Sequence, residues 1–162
     1  MESIIKELYS FLGKAVLATY AGSGKKVVSQ KQGFKELEYK EDSWYYRDSY
    51  SGFFQSWGQS VVYYKNKPFW TELYGGGMKK KYHNNYEFSN HTFGFLKGAL
   101  SAGAKMNSFN PRGPKSYKEG ELEYLCMWKG NIKKFNGNEK ILYKGNVVFT
   151  HDFVGGLILS PS

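Results

Sequence analysis

Hydrophobic residues near the start of the chain recur at the three- and four-residue spacing of an amphipathic helix. The residues that share this face are Ile4, Leu8, Phe11, Leu12 and Ala15. Ser3 is a typical N-cap residue, and the glycine-rich segment 21–24 is a typical helix end. The pattern predicts a first helix over residues 3–20.

After a polar connection from residue 25 to residue 34, short segments alternate between apolar and polar residues, which is the period of β-strands. The predicted strands are 37–40, 44–50, 59–64 and 69–73, then 121–128, 132–135, 140–143 and 147–153. Between the two groups, the segment 75–86 is predicted as a flexible basic loop. Short turns within each group predict antiparallel meanders.

A second helix is predicted between the two groups of strands, over residues 89–102, with Ser89 or Asn90 as its N-cap. Gly94 and Gly98 are four residues apart, and we expect them to let this helix pack closely on the sheet. The order of elements predicts an α+β fold with helices covering one sheet face.

The two groups of strands are related in sequence. The aligned segments are 39–46 with 117–124, 58–67 with 137–146, 70–71 with 149–150, and 76–77 with 155–156. Self-similarity at one long offset is typical of two related supersecondary units. We interpret residues 1–162 as one domain, made of two related helix-plus-antiparallel-meander halves at about 1–77 and 86–159. A basic Gly/Lys loop joins them, and a pocket between related halves is a natural ligand site.

The charge and the aromatic content favour a ligand that is anionic or planar. The formal net charge is +9, which favours nucleic acid, nucleotides or another anion, although lysine-rich composition alone also produces such a charge. Aromatic residues make up 19% of the chain and 14 of them are tyrosines, whose hydroxyls need partners when buried. The composition therefore indicates a partly polar core or an aromatic-lined cavity, and it is also compatible with a homodimer.

Several classes of protein are disfavoured. The single Cys126 excludes an intramolecular disulfide framework and fits a reducing compartment. No apolar run is long enough for a membrane span, and the first residues do not resemble a signal peptide. We expect a cytoplasmic protein with no membrane partner.

Candidate binding residues follow from the strand period. Tyr46, Asp48 and Tyr50 share one face of their strand. Trp70, Glu72 and Tyr74 likewise share one face of theirs. An indole, a carboxylate and a phenol in line can stack on a planar ligand and hydrogen-bond to its edge. The predicted ligand-binding residues are Tyr46, Arg47, Asp48, Tyr50, Trp70, Glu72, Tyr74 and Arg112. Salt bridges and an exposed sheet face are the structural alternative for the same residues.

The glycine run before Lys79, Lys80 and Lys81 predicts an anion-binding loop, with a solvated loop as the alternative. It lacks the Gly-Lys-Ser/Thr ending of a Walker motif. The three histidines show no metal-ligand spacing, so no metal or cofactor is expected. His151, between two aromatic residues, is interpreted as structural.

Several short motifs, taken in order, resemble an uncharacterised bacterial domain family. They are residues 18–21, 37–39, 46–52, 57–59, 61–63, 68–70, 112–114, 135–139 and 155–156. The family occurs alone or C-terminal to Xre-type helix-turn-helix regulators. The resemblance covers about residues 11–158 and implies a sensor or effector domain rather than a catalyst. Ser60 stands where the family pattern has a glutamate, and Glu72 and Leu73 replace a Met-Asn-like pair.

Three functions remain open at this point. The leading hypothesis is a non-enzymatic sensor or sequestering domain for a small, anionic, aromatic or nucleotide-like molecule. The alternative is a single-stranded nucleic-acid or RNA-binding module, because lysines and aromatic residues are interleaved in several segments. The third is a small enzyme that uses Asp48 or Glu72 as a base, which requires the two carboxylates to lie on adjacent strands and to share a face.

Overall fold

The computed structural model describes residues 2–22, 24 and 26–161, so Ser23 of the predicted helix end and Lys25 of the predicted connection lie outside the described residues. The elements are α1 (Glu2–Ala18), β1 (Lys26–Val27), β2 (Lys35–Glu41), β3 (Trp44–Gly52), β4 (Gln55–Tyr64), β5 (Lys67–Met78), a 3₁₀ turn (Lys80–Tyr82), α2 (Tyr86–Ala104), β6 (Ser116–Glu119), β7 (Leu122–Asn131), β8 (Lys134–Tyr143) and β9 (Asn146–Leu157).

The nine strands form one antiparallel sheet in the order β1-β2-β3-β4-β5-β9-β8-β7-β6. Consecutive strands pair throughout, except at the centre, where β5 pairs with β9 and Tyr74 lies opposite Phe153. The predicted α+β fold with helices on an antiparallel sheet is confirmed. The relationship between the two halves stays a prediction.

The helices cover one face of the sheet. α1 packs over β2 and β3, α2 packs over β6 and β7, and the helices contact each other. The largest buried side chains between the layers include Leu8, Leu96, Val62, Trp70, Phe149 and Ile141. Burial of a side chain of this size contributes roughly 1.5–3 kcal/mol. In the part of the chain that the structure describes, no helix is long and apolar enough to cross a membrane.

The glycine run after residue 74 is not a flexible loop. It continues β5 as far as Met78, with hydrogen-bonded neighbours in both β4 and β9. Gly76 and Gly77 have φ angles of 133° and 153°, which only glycine adopts readily. Strand pairing on both sides therefore overrides the local preference of a glycine run for a loop.

The second helix begins earlier than its polar residues suggested. Asn85 is the N-cap, and its side chain accepts a hydrogen bond from the backbone nitrogen of Phe88. Ser89 lies inside the helix and is fully buried. Gly94 faces open space rather than the sheet, whereas Gly103 lies against the backbone of Gly113. A Cβ at Gly98 would lie 3.2 Å from the hydroxyl oxygen of Tyr117 on β6, so the close approach to the sheet that we expected at Gly94 and Gly98 occurs at Gly98 and not at Gly94.

The second meander also differs from its predicted boundaries. Residues 132–135 and 140–143 were predicted as two strands, but β8 runs without interruption from Lys134 to Tyr143. The residues between the two predicted strands, Asn136, Gly137 and Asn138, pair with β7 and β9 on either side. The short edge strand β6 was not predicted at all.

Candidate functional site

A cluster of polar side chains is buried between the helices and the sheet. Its members are Tyr46, Asp48, Ser60, Glu72, Tyr74, Arg112, Tyr124, Glu139 and His151. The four acidic and histidine side chains are at most 5% exposed. Removing charged groups from water costs several kcal/mol each unless partners compensate. The partners of each charge therefore decide what this cluster can do.

Arg112 provides the positive charge of the cluster. It comes from the loop between α2 and β6, where the backbone nitrogen of Gly113 donates to the Tyr124 hydroxyl at 2.8 Å. Arg112 Nε donates to Glu139 Oε1 at 3.0 Å, and the guanidinium lies 4.5 Å from the centre of the Tyr74 ring. Among the described residues, nothing accepts a hydrogen bond from its two terminal nitrogens. These donors remain available to a ligand.

Glu139 is the ionised acid of the cluster. Besides Arg112, its carboxylate accepts hydrogen bonds from the Tyr124 hydroxyl at 2.6 Å and from His151 Nδ1 at 3.1 Å. Burial by itself raises the pKa of Glu139, but Arg112, His151 and Tyr124 lower it to about 2. Glu139 and Arg112 therefore form a buried ion pair.

His151 is held as a neutral imidazole. Burial lowers its pKa, and the opposing effect of Glu139 is smaller. Because Glu139 is an acceptor, Nδ1 carries the hydrogen and Nε2 carries a lone pair. Nε2 is buried and has no hydrogen-bond partner within residues 2–22, 24 and 26–161. It is a free acceptor.

Asp48 accepts hydrogen bonds from the hydroxyls of Ser60 and Tyr74, both at 2.9 Å. Because Ser60 donates to Asp48, the Tyr46 hydroxyl donates to Ser60, also at 2.9 Å. Burial raises the pKa of Asp48, and these hydrogen bonds and Arg112 oppose the increase. The position of Asp48 in mid-strand is thus explained by a hydrogen-bonded chain across β3, β4 and β5.

Glu72 shares the sheet face of Asp48, but their strands are not adjacent. Ser60 of β4 pairs with Asp48 on one side and with Glu72 on the other. The condition for paired acid–base carboxylates is therefore not met. Burial raises the pKa of Glu72 to about 8, and Arg112 opposes this increase. At neutral pH Glu72 is mainly a carboxylic acid, and its Oε1 has no partner among the described side chains and backbone groups.

Three spaces adjoin this cluster. The first, here called the inner cavity, has a volume of about 60 Å³ and is bordered by Tyr46, Asp48, Tyr50, Tyr74, Arg112 and His151. The second, the lysine cleft, has about 360 Å³ and carries Lys26, Lys35 and Lys97 on its rim. The inner cavity and the lysine cleft share Tyr20, Tyr50, Ser56, Leu96 and His151 as walls, so the two spaces adjoin.

The third space, here called the Glu72 cavity, has about 60 Å³. It lies between α1 and the loop that carries Arg112, and Trp70 and Glu72 border it from the sheet. Arg112 and Tyr46 border both the Glu72 cavity and the inner cavity. Arg112 thus lies between two small cavities.

The structure brings seven of the eight predicted ligand-binding residues to these two cavities. They are Tyr46, Asp48, Tyr50, Trp70, Glu72, Tyr74 and Arg112. Arg47 lies elsewhere, because alternation along β3 turns it to the opposite face. There its guanidinium donates to the buried carboxylate of Glu36. Lys79, Lys80 and Lys81 follow β5 and border none of the three spaces.

Other residues of the site were missed from the sequence. Glu139 and Tyr124 were not candidates, His151 was considered structural, and the three lysines of the cleft were not singled out. The aligned segments contain a signal for Glu139, which they match with Ser60. If the alignment of 70–71 with 149–150 is extended by one residue, it also matches Glu72 with His151. In the described part of the chain, no group of three acidic, histidine or cysteine side chains could hold a metal ion.

Comparison with known proteins identifies a family but no characterised relative. The model of one family, described as "Domain of unknown function (DUF5680)", matches residues 48–158, which is more than half of the chain. No curated protein and no solved structure matches. The matched region begins at Asp48 and contains every other member of the buried polar cluster except Tyr46.

Proposed function

The chain belongs to the DUF5680 family, and for this member we propose a non-enzymatic ligand-binding function, as a sensor or a sequestering protein. The ligand is a small, anionic molecule with an aromatic ring, of nucleotide-like chemistry. One observation carries the proposal: free hydrogen-bonding groups border an inner cavity that adjoins a cleft lined by aromatic residues and lysines.

The inner cavity fits the edge of a polar ring. Its volume of about 60 Å³ accommodates about four to six non-hydrogen atoms, if each water-sized group needs roughly 10–15 Å³. Arg112 offers donors, whereas Asp48 and His151 Nε2 offer acceptors. A heteroaromatic edge that carries both a carbonyl oxygen and an N–H group complements this arrangement.

The lysine cleft fits the remainder of such a ligand. Its volume of about 360 Å³ is within the usual range for sites of small molecules. Phe53, Phe93 and Phe149 provide apolar walls. Lys35 Nζ lies 6.0 Å from the Tyr50 ring centre and Lys97 Nζ lies 5.3 Å from that of Tyr20. A phosphate or carboxylate at this rim would be attracted to the lysines.

The experiment is a melting-temperature series with nucleoside mono- and triphosphates, followed by calorimetric titration of any that stabilise the protein. We expect saturable binding that weakens at least tenfold in a Lys35→Ala/Lys97→Ala variant. The matched control is Lys80→Ala/Lys81→Ala, which removes two lysines away from the cleft and should leave the affinity within twofold. Equal loss in both variants would show non-specific charge attraction, and no stabilisation by any nucleotide would contradict the ligand class.

We also propose that the protein is bacterial and cytoplasmic. The resemblance to bacterial domains that accompany helix-turn-helix regulators supports a sensing role. A reducing compartment agrees with the single Cys126, whose pKa burial raises to about 12, so that its thiol remains protonated.

A second candidate function uses the sheet face opposite the helices. Trp57 is 66% exposed there, with its ring packed against Gly75, in a groove of about 960 Å³ that also contains Lys129 and Lys134. An exposed indole beside lysines suits stacking of an unpaired base near its phosphates. Fluorescence titration with a twelve-nucleotide oligothymidine would test this, since Trp57→Ala should abolish binding while Lys35→Ala/Lys97→Ala should not.

A further inference from the structure

The Glu72 cavity is a separate space from the one assigned to the proposed ligand. Its walls are Leu12, Gly13 and Val16 of α1 on one side and Phe109 to Arg112 of the loop on the other. The Phe109 ring packs edge-on against Tyr9 at 5.9 Å and against Phe135 at 5.1 Å. These ring contacts hold the loop against α1 and β8. Met106 and Ser108, which also border the cavity, are exposed to solvent.

Two of the groups that border this space have unused hydrogen-bonding capacity. The guanidinium of Arg112 uses only Nε toward Glu139, and no described residue accepts from its terminal nitrogens. The Glu72 side chain is 5% exposed, and its Oε1 has no partner in the described part of the chain. Buried polar atoms nearly always have a hydrogen-bond partner. Glu72 Oε1 is an exception to this rule, and the Arg112 guanidinium, whose side chain is 10% exposed, borders the same cavity.

We propose that the Glu72 cavity binds a small oxyanion, such as a monocarboxylate of about four to six non-hydrogen atoms, between the Arg112 guanidinium and the carboxyl group of Glu72. The guanidinium donates to one oxygen of the anion, and the protonated Glu72 donates its O–H to the other. This inference does not depend on the proposed function, because Glu72 borders this cavity and not the inner cavity, although Arg112 and Tyr46 border both.

The charges around Glu72 determine how this site responds to pH. Arg112 faces it from the loop, Asp48 from β3 and Glu139 from β8, while Tyr46 and Tyr9 border the same space. Burial raises the pKa of both tyrosines, so neither ionises near neutral pH. Glu139 is already ionised and paired with Arg112. Because burial raises the pKa of Glu72 to about 8, Glu72 changes charge between neutral and mildly alkaline pH.

Ionisation of Glu72 removes a donor and places a negative charge beside the anion. Because the pKa of Glu72 is raised to about 8, anion affinity should be constant between pH 6 and 7. Above the pKa it should fall by up to about tenfold per pH unit, as one proton is released for each anion lost. Glu72→Gln keeps a donor at this position and cannot ionise. Its anion affinity should therefore not change over the same range.

The test is a titration with sodium acetate at constant ionic strength, at pH 6.0, 7.0, 8.5 and 9.5, followed by amide chemical shifts of Gly103 and Asn110, which border the cavity. We expect saturable shifts in wild type whose midpoint increases about tenfold or more between pH 7.0 and 9.5. Glu72→Gln should show the same midpoint at all four values. Lys35→Ala/Lys97→Ala, which alters only the lysine cleft, should behave as wild type.

Each other outcome contradicts the proposal. Absence of saturable shifts with 100 mM acetate at pH 6.0 would show that the cavity does not take an oxyanion. Saturable shifts with the same pH dependence in Glu72→Gln would show that another group controls binding. Loss of binding only in the lysine-cleft variant would place the acetate outside the Glu72 cavity. The wild-type pH series alone decides the question if a variant does not fold.

Discussion

Glu139 and His151 lie directly opposite each other on β8 and β9, with Oε1 of the glutamate 3.1 Å from Nδ1 of the histidine. The same oxygen accepts a hydrogen bond from Arg112, so one carboxylate orients both a guanidinium and an imidazole. This arrangement leaves the terminal nitrogens of Arg112 and Nε2 of His151 available beside the inner cavity. The predictions below test the cluster and the elements that hold it.

Glu139→Gln should destabilise the protein by about 3–5 kcal/mol, because it leaves the Arg112 guanidinium buried without its counter-charge. The measurement is urea-induced unfolding at pH 7. Glu121→Gln is the matched control, since it breaks an ion pair with Lys144 in which both side chains are more than half exposed. That change should cost less than about 1 kcal/mol. Similar losses in the two variants would show that the buried pair has no special role.

Glu72→Gln should become more stable relative to wild type as pH rises from 5 to 8. The pKa of Glu72 is raised to about 8 in the folded protein, from 4.5 in the unfolded chain. Wild type therefore binds the extra proton when folded, and loses up to about 1.4 kcal/mol of stability per pH unit across this window. Glutamine has no such loss. Unfolding curves of both proteins at pH 5, 6.5 and 8 give the difference between their free energies of unfolding. Titration of the other groups affects both proteins equally and cancels in this difference. A difference that stays constant with pH would contradict the prediction.

Gly94→Ala and Gly103→Ala should have opposite effects although both replace a glycine of α2. A Cβ at Gly94 meets no atom within 4 Å, so alanine should stabilise the helix by about 0.5–1 kcal/mol. A Cβ at Gly103 would lie 2.8 Å from the Cα of Gly113, so alanine should displace the loop that carries Arg112. Melting temperatures of the two variants, one raised and one lowered, are the expected result. Equal shifts would mean that Gly103 and Gly113 do not pack closely.

Asn85→Ala should cost about 1 kcal/mol, because the side chain caps the first turn of α2. Ser89→Ala should be neutral or stabilising, since the Ser89 hydroxyl is buried without a partner among the described residues. Thermal unfolding of the two variants separates these effects. If Ser89→Ala destabilised the protein more than Asn85→Ala, the N-cap would be Ser89, as the sequence pattern predicted.

Much of the site could be predicted because its strands have a simple period. Alternation along β3 puts Tyr46, Asp48 and Tyr50 on one face, and alternation along β5 does the same for Trp70, Glu72 and Tyr74. The same rule sends Arg47 to the other face, where Glu36 binds it. The alternation of side chains along a strand is therefore enough to distinguish the residues that face the cavities from Arg47.

The remainder of the site depends on contacts between distant segments. Arg112 meets Glu139 across 27 residues, and the lysines of the cleft come from β1, β2 and α2. No local sequence pattern specifies contacts between residues so far apart in the chain. The glycine run before Lys79 shows the converse, since a strong local signal for a loop is overridden by strand pairing on both sides.

The pairing of β5 with β9 has a consequence for how the chain folds. Every other strand pairing in the described sheet joins neighbours along the chain, so each meander can form by closing short hairpins. The central pairing joins Tyr74 to Phe153, and it must close a far longer segment of chain. Loop closure of this kind slows folding because its entropy is lost before the contacts form. We therefore expect the two meanders to gain protection from hydrogen exchange first, and the β5–β9 junction to be the rate-limiting step of refolding.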